Sequence, residues 1–149
     1  LVYRGDFIAG GVVFLLGSIL DIFDGAIARA RGEAGPKGAL FDSVLDRVSE
    51  AVMLGAIALV FAREDEKIAL LAVIAALTGS LLTSYIRARA EALGLDGTHG
   101  LMARAERVVL IAAALLFAPL GALPWGIILL AILSALTVLQ RARHVMRQL

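Results

Sequence analysis

Long apolar stretches separated by short polar connections run through the whole chain. At a rise of about 1.5 Å per residue, roughly 20 apolar residues are needed to cross a hydrocarbon core about 30 Å thick. The pattern therefore predicts an all-α, polytopic transmembrane helix bundle with five spans. The stretches run from Phe7 to about Ala30, from Gly38 to Ala62, from Ile68 to Ile86, from Met102 to Leu123 across Pro119, and from Pro124 to Gln140.

Glycine, proline and charged residues mark the connections between these stretches. The segment 31–37 combines two glycines with Pro36, and the segment 63–67 contains only charged residues. Glycine and proline interrupt helices, and charged side chains favour water. No repeat or linker divides the rest, so residues 1–149 are expected to form a single membrane domain.

Composition agrees with a membrane protein. Hydrophobic residues make up 60% of the 149 positions and charged residues only 18%. These proportions are unlike those of an ordinary soluble domain. The absence of cysteine argues against a thiolate zinc site or an iron–sulfur cluster. Nothing in the sequence indicates a nucleic-acid partner.

Basic residues are distributed unequally between the two sides of this five-span arrangement. Cytoplasmic loops are enriched in Lys and Arg, so the richer side is expected to be cytoplasmic and the protein to lie in the cell membrane. Arg4, Arg63 and Lys67 fall on the poorer side. The richer side carries Arg29, Arg31, Lys37, Arg47, Arg87, Arg89, Arg104, Arg107, Arg141, Arg143 and Arg147.

Four carboxylates lie inside the first two apolar stretches. Asp21 and Asp24 are three residues apart, and Asp42 and Asp46 are four apart, so each pair shares one face of a helix. A charge at the bilayer centre costs about 2.5–3.5 kcal/mol, so these acids need positive partners. Two divalent cations suit carboxylate oxygens, which bind hard ions such as Mg²⁺, Mn²⁺ or Ca²⁺, and Mg²⁺ or Mn²⁺ is the favoured choice. The alternative is a structural acid cluster paired with nearby arginines, namely Arg29, Arg31 and Arg47.

The acids belong to a longer pattern, Asp-x2-Asp-Gly-x2-Ala-Arg-x8-Gly-x3-Asp-x3-Asp, which spans residues 21–46. It resembles the signature of the CDP-alcohol phosphotransferase family, integral membrane enzymes of phospholipid synthesis. The resemblance implies transfer of a phosphatidyl-type group from a CDP-linked lipid to an alcohol, with release of CMP. Family enzymes have six helices, so the first family helix is expected to be missing here. The resemblance also implies a homodimer and an active site on the cytoplasmic side.

The resemblance further implies roles for the motif residues. Asp21, Asp24, Asp42 and Asp46 would hold the metal ions, and Asp46 would also act as the general base. The nucleotide site would be lined by the small and basic residues of the motif, which are Gly25, Ala28, Arg29 and Gly38. Close packing of helices is the alternative explanation for the small residues among them.

A second resemblance concerns the acceptor alcohol. The stretches around Arg87 and Arg107 are similar to those of phosphatidylinositol-phosphate and archaetidylinositol-phosphate synthases. In that branch, basic positions matching Arg87, Arg107 and Arg141 bind the phosphate of inositol phosphate. The alternative is that these arginines only anchor the topology. Nearby charged residues are expected to support the site through salt bridges, namely Arg89, Glu91, Arg104 and Glu106.

Three further residues receive simpler interpretations. Glu50, one helical turn beyond Asp46, is expected either to orient that acid or to face the loop. His99 and His144 are interpreted as solvated residues of a loop and of the C-terminal tail.

Other functions stay open from the sequence. The same chemistry with glycerol phosphate as acceptor is one alternative. An ion or proton transporter would also keep acids in the membrane, although more often near its midplane. A non-catalytic scaffold would explain the helices but not the spacing of the acids.

Overall fold

The computed structural model describes residues 1–30 and 35–149, except for the side chains of Ile22, Gly25, Ala26 and residues 28–30. Within these residues the chain is helical, without a strand, as the apolar pattern predicts. Two short 3-10 turns, Val2–Arg4 and Ala118–Leu120, accompany five α-helices. The helices are α1 (Phe7–Ala30), α2 (Pro36–Arg63), α3 (Lys67–Ala92), α4 (Arg104–Leu116) and α5 (Leu123–Met146).

Proline and glycine set several of the helix ends. Pro36 and Pro124 lie in the first turns of α2 and α5. Proline is tolerated there because the first backbone N–H groups of a helix have no partner within the helix. Gly94 and Gly121 adopt positive φ angles of 73° and 76° in the turns after α3 and before α5. These two turns thus use a conformation that favours glycine.

Helix α4 is shorter than the sequence pattern predicts. It has 13 residues and ends at Leu116, and a 3-10 turn carries the chain past Pro119. The expected continuous stretch from Met102 to Leu123 is therefore wrong. Proline has no N–H to continue the hydrogen-bond ladder, and its ring crowds the preceding turn. At about 20 Å, α4 is too short to cross a hydrocarbon core by itself.

The apolar helices and their exposed surfaces fit a membrane protein. Helices α3 and α5 are each long and apolar enough to cross a bilayer, with mean hydropathies of 1.9 and 2.0, and the apolar helical segment Phe7–Asp21 is shorter. Large apolar side chains on these helices face outward, including Ile68, Leu71 and Trp125, which are 75%, 66% and 73% exposed. An outward-facing apolar surface of this kind is suited to lipid.

The buried core lies where α3 packs along α5, and α2 and α4 complete it. Leu54, Ile57, Ile111 and Ile127 are fully buried there. Gly79 on α3 lies so close to Ser134 on α5 that a Cβ at the glycine would be 2.8 Å from the serine Cβ. Such contacts between small residues let two membrane helices approach closely.

Helices α1 and α2 attach to different parts of this core. Helix α1 packs mainly on α4, whereas α2 packs mainly on α3 and on the N-terminal 3-10 turn. Between α1 and α2 lies a cavity of about 430 Å³. This separation places the cavity next to the acidic residues of both helices.

Candidate active site

The cavity between α1 and α2 has apolar walls and a charged end. Its polar lining consists mainly of Asp21, Asp46 and Arg104, together with Ser18 and Ser49. The two acids lie at similar distances in sequence from the connection between the two helices. The apolar walls continue from this charged end, away from the connection, and consist of Val13, Phe14, Gly17, Leu45, Val48 and Val52.

A single guanidinium links the two acids. Arg104 Nη1 lies 3.1 Å from Asp21 Oδ2, and Arg104 Nη2 lies 2.5 Å from Asp46 Oδ1. The three side chains are partly buried, with exposed fractions of 35% for Asp21, 17% for Asp46 and 27% for Arg104. Charge-assisted contacts of this kind bring together acids that would otherwise repel one another. Arg104 is thus a salt-bridge support, one of the roles that the sequence predicts for it.

The structure places the other two acids of the motif differently. Asp24 and Asp42 are exposed, one turn closer to the α1–α2 connection than Asp21 and Asp46. In the part of the chain that the structure describes, no group of three or more His, Asp or Glu side chains is close enough to hold one metal ion. The structure therefore joins two of the four predicted metal ligands, and a common site for all four stays a prediction.

Glu50 and Arg107 form a buried ion pair between α2 and α4. Arg107 Nε and Nη2 donate to Glu50 Oε1 and Oε2 at 2.9 and 3.3 Å, and both side chains are about 5% exposed. The expectations that Glu50 orients Asp46 or faces the loop are wrong, because both of its oxygens bind Arg107. Arg107 lies one turn beyond Arg104 on α4, and Glu50 one turn beyond Asp46 on α2. The two pairs thus follow one another along the same helices.

Arg141 also has internal partners. Its guanidinium donates to the backbone carbonyls of Thr83, Thr98 and His99 at 2.9–3.2 Å. It therefore attaches the loop between α3 and α4 to the end of α5. Arg87, by contrast, is half exposed and forms an ion pair of 2.8 Å with Glu91. Binding of acceptor phosphate by Arg87, Arg107 and Arg141 stays a prediction.

Of the predicted nucleotide-site residues, only Gly38 has described surroundings. A Cβ at Gly38 would have no other atom within 4 Å, so this glycine does not serve close helix packing. It leaves open space at the start of α2. Gly25, Ala28 and Arg29 lie in α1, outside the residues whose side chains the structure describes.

His99 is an exposed residue of the α3–α4 loop, as the sequence predicts, whereas His144 lies within α5 and is partly buried. The two histidines also interact with each other. The rings of His99 and His144 stack with centroids 4.6 Å apart, and His144 Nε2 lies 3.4 Å from Asp96 Oδ2. Hydrogen bonds from the hydroxyl and the backbone N–H of Thr98 lower the pKa of Asp96, with a smaller contribution from His144. This cluster holds the α3–α4 loop against the end of α5.

The geometry of the cavity suits an amphiphilic molecule. A charged group can occupy the end formed by Asp21, Asp46 and Arg104, while an apolar chain lies along the walls. Sequence reasoning did not identify two polar residues of this site, Ser49 and the 8% exposed Ser18. The position of Ser18 one turn before Asp21 on the same face of α1 is a signal that would have pointed to it.

Comparison with known proteins gives one family for nearly the whole chain. The family described as CDP-alcohol phosphatidyltransferase matches residues 1–141. The archaetidylinositol phosphate synthase of Pyrococcus horikoshii is 38% identical over 99% of this chain and 74% of its own length. The phosphatidylinositol phosphate synthase of Mycobacterium tuberculosis is 34% identical over 95% of this chain and 68% of its own length.

Comparison with solved structures finds one of the same relatives. The phosphatidylinositol phosphate synthase of Mycobacterium tuberculosis in complex with manganese and citrate superposes with a TM-score of 0.91 at 32% identity, covering 98% of this chain and 73% of that one. The same enzyme with CDP-DAG bound gives a TM-score of 0.81 at 29% identity, covering 97% of this chain and 84% of that one.

Proposed function

Because this chain belongs to the CDP-alcohol phosphatidyltransferase family, we propose that it transfers a phosphatidyl-type group from a CDP-linked lipid to the hydroxyl of a phosphorylated alcohol. CMP is the second product. Inositol phosphate is the favoured acceptor, since relatives are named archaetidylinositol phosphate synthase and phosphatidylinositol phosphate synthase. The lipid part is a diacylglycerol or an archaeol.

One observation supports this function most directly. The cavity between α1 and α2 combines acids and a guanidinium at one end with apolar walls along its length. A CDP-linked lipid has the same division, because its diphosphate is charged and its tails are apolar. Binding at this position would let the nucleotide reach water while the tails stay among apolar side chains and lipid.

The reaction requires one bond to form and one to break. The acceptor hydroxyl oxygen bonds to the phosphorus that carries the lipid, and the bond from this phosphorus to the bridging oxygen of CMP breaks. The hydroxyl proton must be taken up as the new bond forms. Asp46, at the charged end of the cavity, is the proposed base, because its carboxylate is only 17% exposed and lies in the cavity lining.

The acids present also fit a divalent cation. Asp21, Asp24, Asp42 and Asp46 supply only oxygen donors, which Mg²⁺ and Mn²⁺ prefer. The ion pairs of Arg104 with Asp21 and Asp46 support the proposal that a cation binds these two acids. Bound metal would supply positive charge where negative charge develops on the transferring phosphate. The four aspartates are its proposed ligands.

The acceptor site is proposed at the basic end of α3, α4 and α5. Arg87 is the accessible member of the predicted set, since its partner Glu91 is half exposed and can be exchanged for a phosphate. Arg107 and Arg141 would have to exchange buried bonds to take part directly. We also propose that this side faces the cytoplasm and that the protein forms a homodimer, as the family resemblance implies.

CMP release tests the proposal. Purified protein with CDP-diacylglycerol or CDP-archaeol, Mg²⁺ or Mn²⁺ and inositol phosphate should release CMP, and glycerol phosphate, inositol and serine should be poorer acceptors. Asp46→Asn should lose at least two orders of magnitude in turnover, because loss of a general base alone costs about 10²–10⁴-fold.

Asp65→Asn is the matched control. It removes the same charge in the α2–α3 connection, where a φ of 56° suits Asn as well as Asp. Its turnover should equal that of the unchanged protein. Absence of CMP release with every acceptor would contradict the proposed function, and full activity of Asp46→Asn would contradict the assignment of Asp46 as the base.

A further inference from the structure

Arg104 occupies a special position in the bundle. It is the first residue of α4, and its two terminal nitrogens contact acids on α1 and α2. One side chain therefore joins three helices at the charged end of the cavity. These same acids are two of the proposed metal ligands.

A guanidinium and a metal ion beside these carboxylates would be attracted by the same negative charges, and each cation lowers the affinity of the acids for the other. Arg104 uses Oδ2 of Asp21 and Oδ1 of Asp46, and a metal ion would need oxygens of the same two groups. The positive charge of Arg104 would also repel a divalent cation beside it. The two cations therefore compete for the same acids.

We propose that Arg104 is an exchangeable counter-cation: it neutralises Asp21 and Asp46 until a divalent cation binds these acids and displaces it. The proposal rests on the proposed function, since that function assigns these acids to metal. It adds that the affinity for metal is set by the cost of breaking the Arg104 ion pairs. Arg104 is thus a positioning residue that holds α1, α2 and α4 together while the acids carry their full charge.

Two features of the surrounding structure make the exchange possible. The buried Glu50–Arg107 pair, one turn away, still joins α4 to α2 when Arg104 leaves. Arg104 and Ser18 also line a second cavity of about 90 Å³ between α1 and α4. The Arg104 side chain therefore lies between this cavity and the larger one between α1 and α2. The aliphatic part of an arginine can move along an apolar wall while its charged end stays with polar groups.

The alternative is that any positive charge near Asp46 weakens metal binding equally. Arg47 provides the matched control for this alternative. It is adjacent to Asp46 in sequence, yet its guanidinium donates to the Ser43 backbone carbonyl at 2.6 Å. Replacing Arg47 by Gln removes one charge near the acids without breaking an ion pair to either of them.

Calorimetric titration with Mn²⁺, in the absence of CDP-lipid, measures the competition. Arg104→Gln should bind Mn²⁺ about tenfold more tightly than the unchanged protein, since the partly buried ion pairs of Arg104 with Asp21 and Asp46 no longer have to be broken. Arg104→Lys should lie between the two, because it keeps the charge but loses the planar fork. Arg47→Gln should change the affinity by less than about twofold. Equal tightening by Arg104→Gln and Arg47→Gln would overturn the proposal.

Labelling of the unchanged protein gives a second readout that does not depend on a variant folding. Phenylglyoxal modifies accessible arginines, and peptide mass spectrometry identifies each modified position. Mn²⁺ should increase the modification of Arg104 several-fold and leave that of Arg89, an exposed arginine of α3, unchanged. Unchanged or reduced modification of Arg104 on Mn²⁺ binding would overturn the exchange.

These results separate the inference from the function on which it rests. If CMP is released in a metal-dependent reaction but Arg104 responds to Mn²⁺ in neither experiment, the exchange is wrong and the function stands. If Mn²⁺ displaces Arg104 but no acceptor yields CMP, the proposed function is wrong and the competition between cations stands.

Discussion

Glu50 and Arg107 are a pair of opposite charges inside an apolar bundle. Each is about 5% exposed, and two hydrogen bonds join them between α2 and α4. Removal of one partner from a buried ion pair leaves an uncompensated charge, which costs about 3–5 kcal/mol. This pair therefore gives Arg107 a structural role in addition to any role toward the acceptor.

We predict that Arg107→Ala lowers the free energy of unfolding by about 3–5 kcal/mol. The double variant Glu50→Leu, Arg107→Leu should be less destabilised than Arg107→Ala, because no charge stays buried alone. Thermal unfolding in detergent with circular dichroism measures both. A stability unchanged by Arg107→Ala, combined with weaker use of the acceptor, would instead indicate that Arg107 serves only the substrate.

Asp96 confers a pH dependence on the α3–α4 loop. Its pKa is lowered because Thr98 donates two hydrogen bonds to the carboxylate, with His144 nearby. A carboxyl whose pKa is lower in the folded than in the unfolded state stabilises the folded protein at pH values above the unfolded-state pKa, which is near 3.8. This contribution is lost as the pH falls through the folded value.

The difference in melting temperature between the unchanged protein and Asp96→Asn should therefore be present at pH 7 and decrease progressively as the pH falls below about 3.8. Thermal unfolding over a series of pH values measures this difference. Thr98→Ala, which removes the hydroxyl donor, should reproduce part of the effect with the same pH dependence. A difference that is constant from pH 7 to pH 3 would contradict this assignment.

At the level of helices, the contact between α3 and α5 depends on small residues. A Cβ at Gly79 would lie 2.8 Å from Ser134 Cβ and 3.3 Å from the Ser134 carbonyl carbon. The backbone carbon cannot rotate away, so a larger residue at Gly79 must move one helix. Gly55 on α2, by contrast, has no atom within 4 Å of its Cβ position.

These two glycines give a matched prediction. Gly79→Ala should destabilise the protein by about 1–3 kcal/mol, because overpacking forces the helices apart. Gly55→Ala should stabilise it by up to about 1 kcal/mol, because Ala has the higher helix propensity. Thermal unfolding of both variants under one condition checks the pair. Equal effects of the two substitutions would mean that the contact between α3 and α5 is not tight.

Positive charge is distributed unequally over the whole molecule. The structure contains the basic helix ends and loops on which this distribution depends. Lys37 lies at the start of α2, and the α3–α4 loop and the end of α5 are held together by Arg141. The α2–α3 and α4–α5 connections carry fewer basic residues. By the positive-inside rule, we predict that the start of α2, the α3–α4 loop and the end of α5 face the cytoplasm.

Single-cysteine labelling tests this topology, since the chain has no native cysteine. Cysteines at Lys37 and at Leu101, which is 59% exposed, should react with a membrane-impermeant maleimide only from the cytoplasmic side. A cysteine at Leu120, which is 81% exposed in the α4–α5 connection, should react only from the opposite side. Labelling of Lys37 and Leu101 positions from opposite sides would contradict the proposed arrangement.

The sequence by itself determined the helical class, most helix boundaries and the acidic motif. The predicted first stretch coincides with α1, Phe7–Ala30. The predicted second stretch begins two residues after the start of α2 and ends one residue before its end, since α2 is Pro36–Arg63. These properties depend on periodicity, proline and glycine, which act over a few neighbouring residues. The position of Asp46 on α2, and of Asp21 on α1, follows directly from them.

Only the tertiary structure decided which charged side chains meet. Arg104 and Asp21 are 83 residues apart in sequence, and Arg107 and Glu50 are 57 apart. Their pairing depends on how α1, α2 and α4 pack and rotate, which no local pattern specifies. The same holds for Arg141, whose carbonyl partners lie on another helix and its following loop. A helical pattern gives each arginine a position on its own helix, whereas its partner is determined by the packing of the other helices.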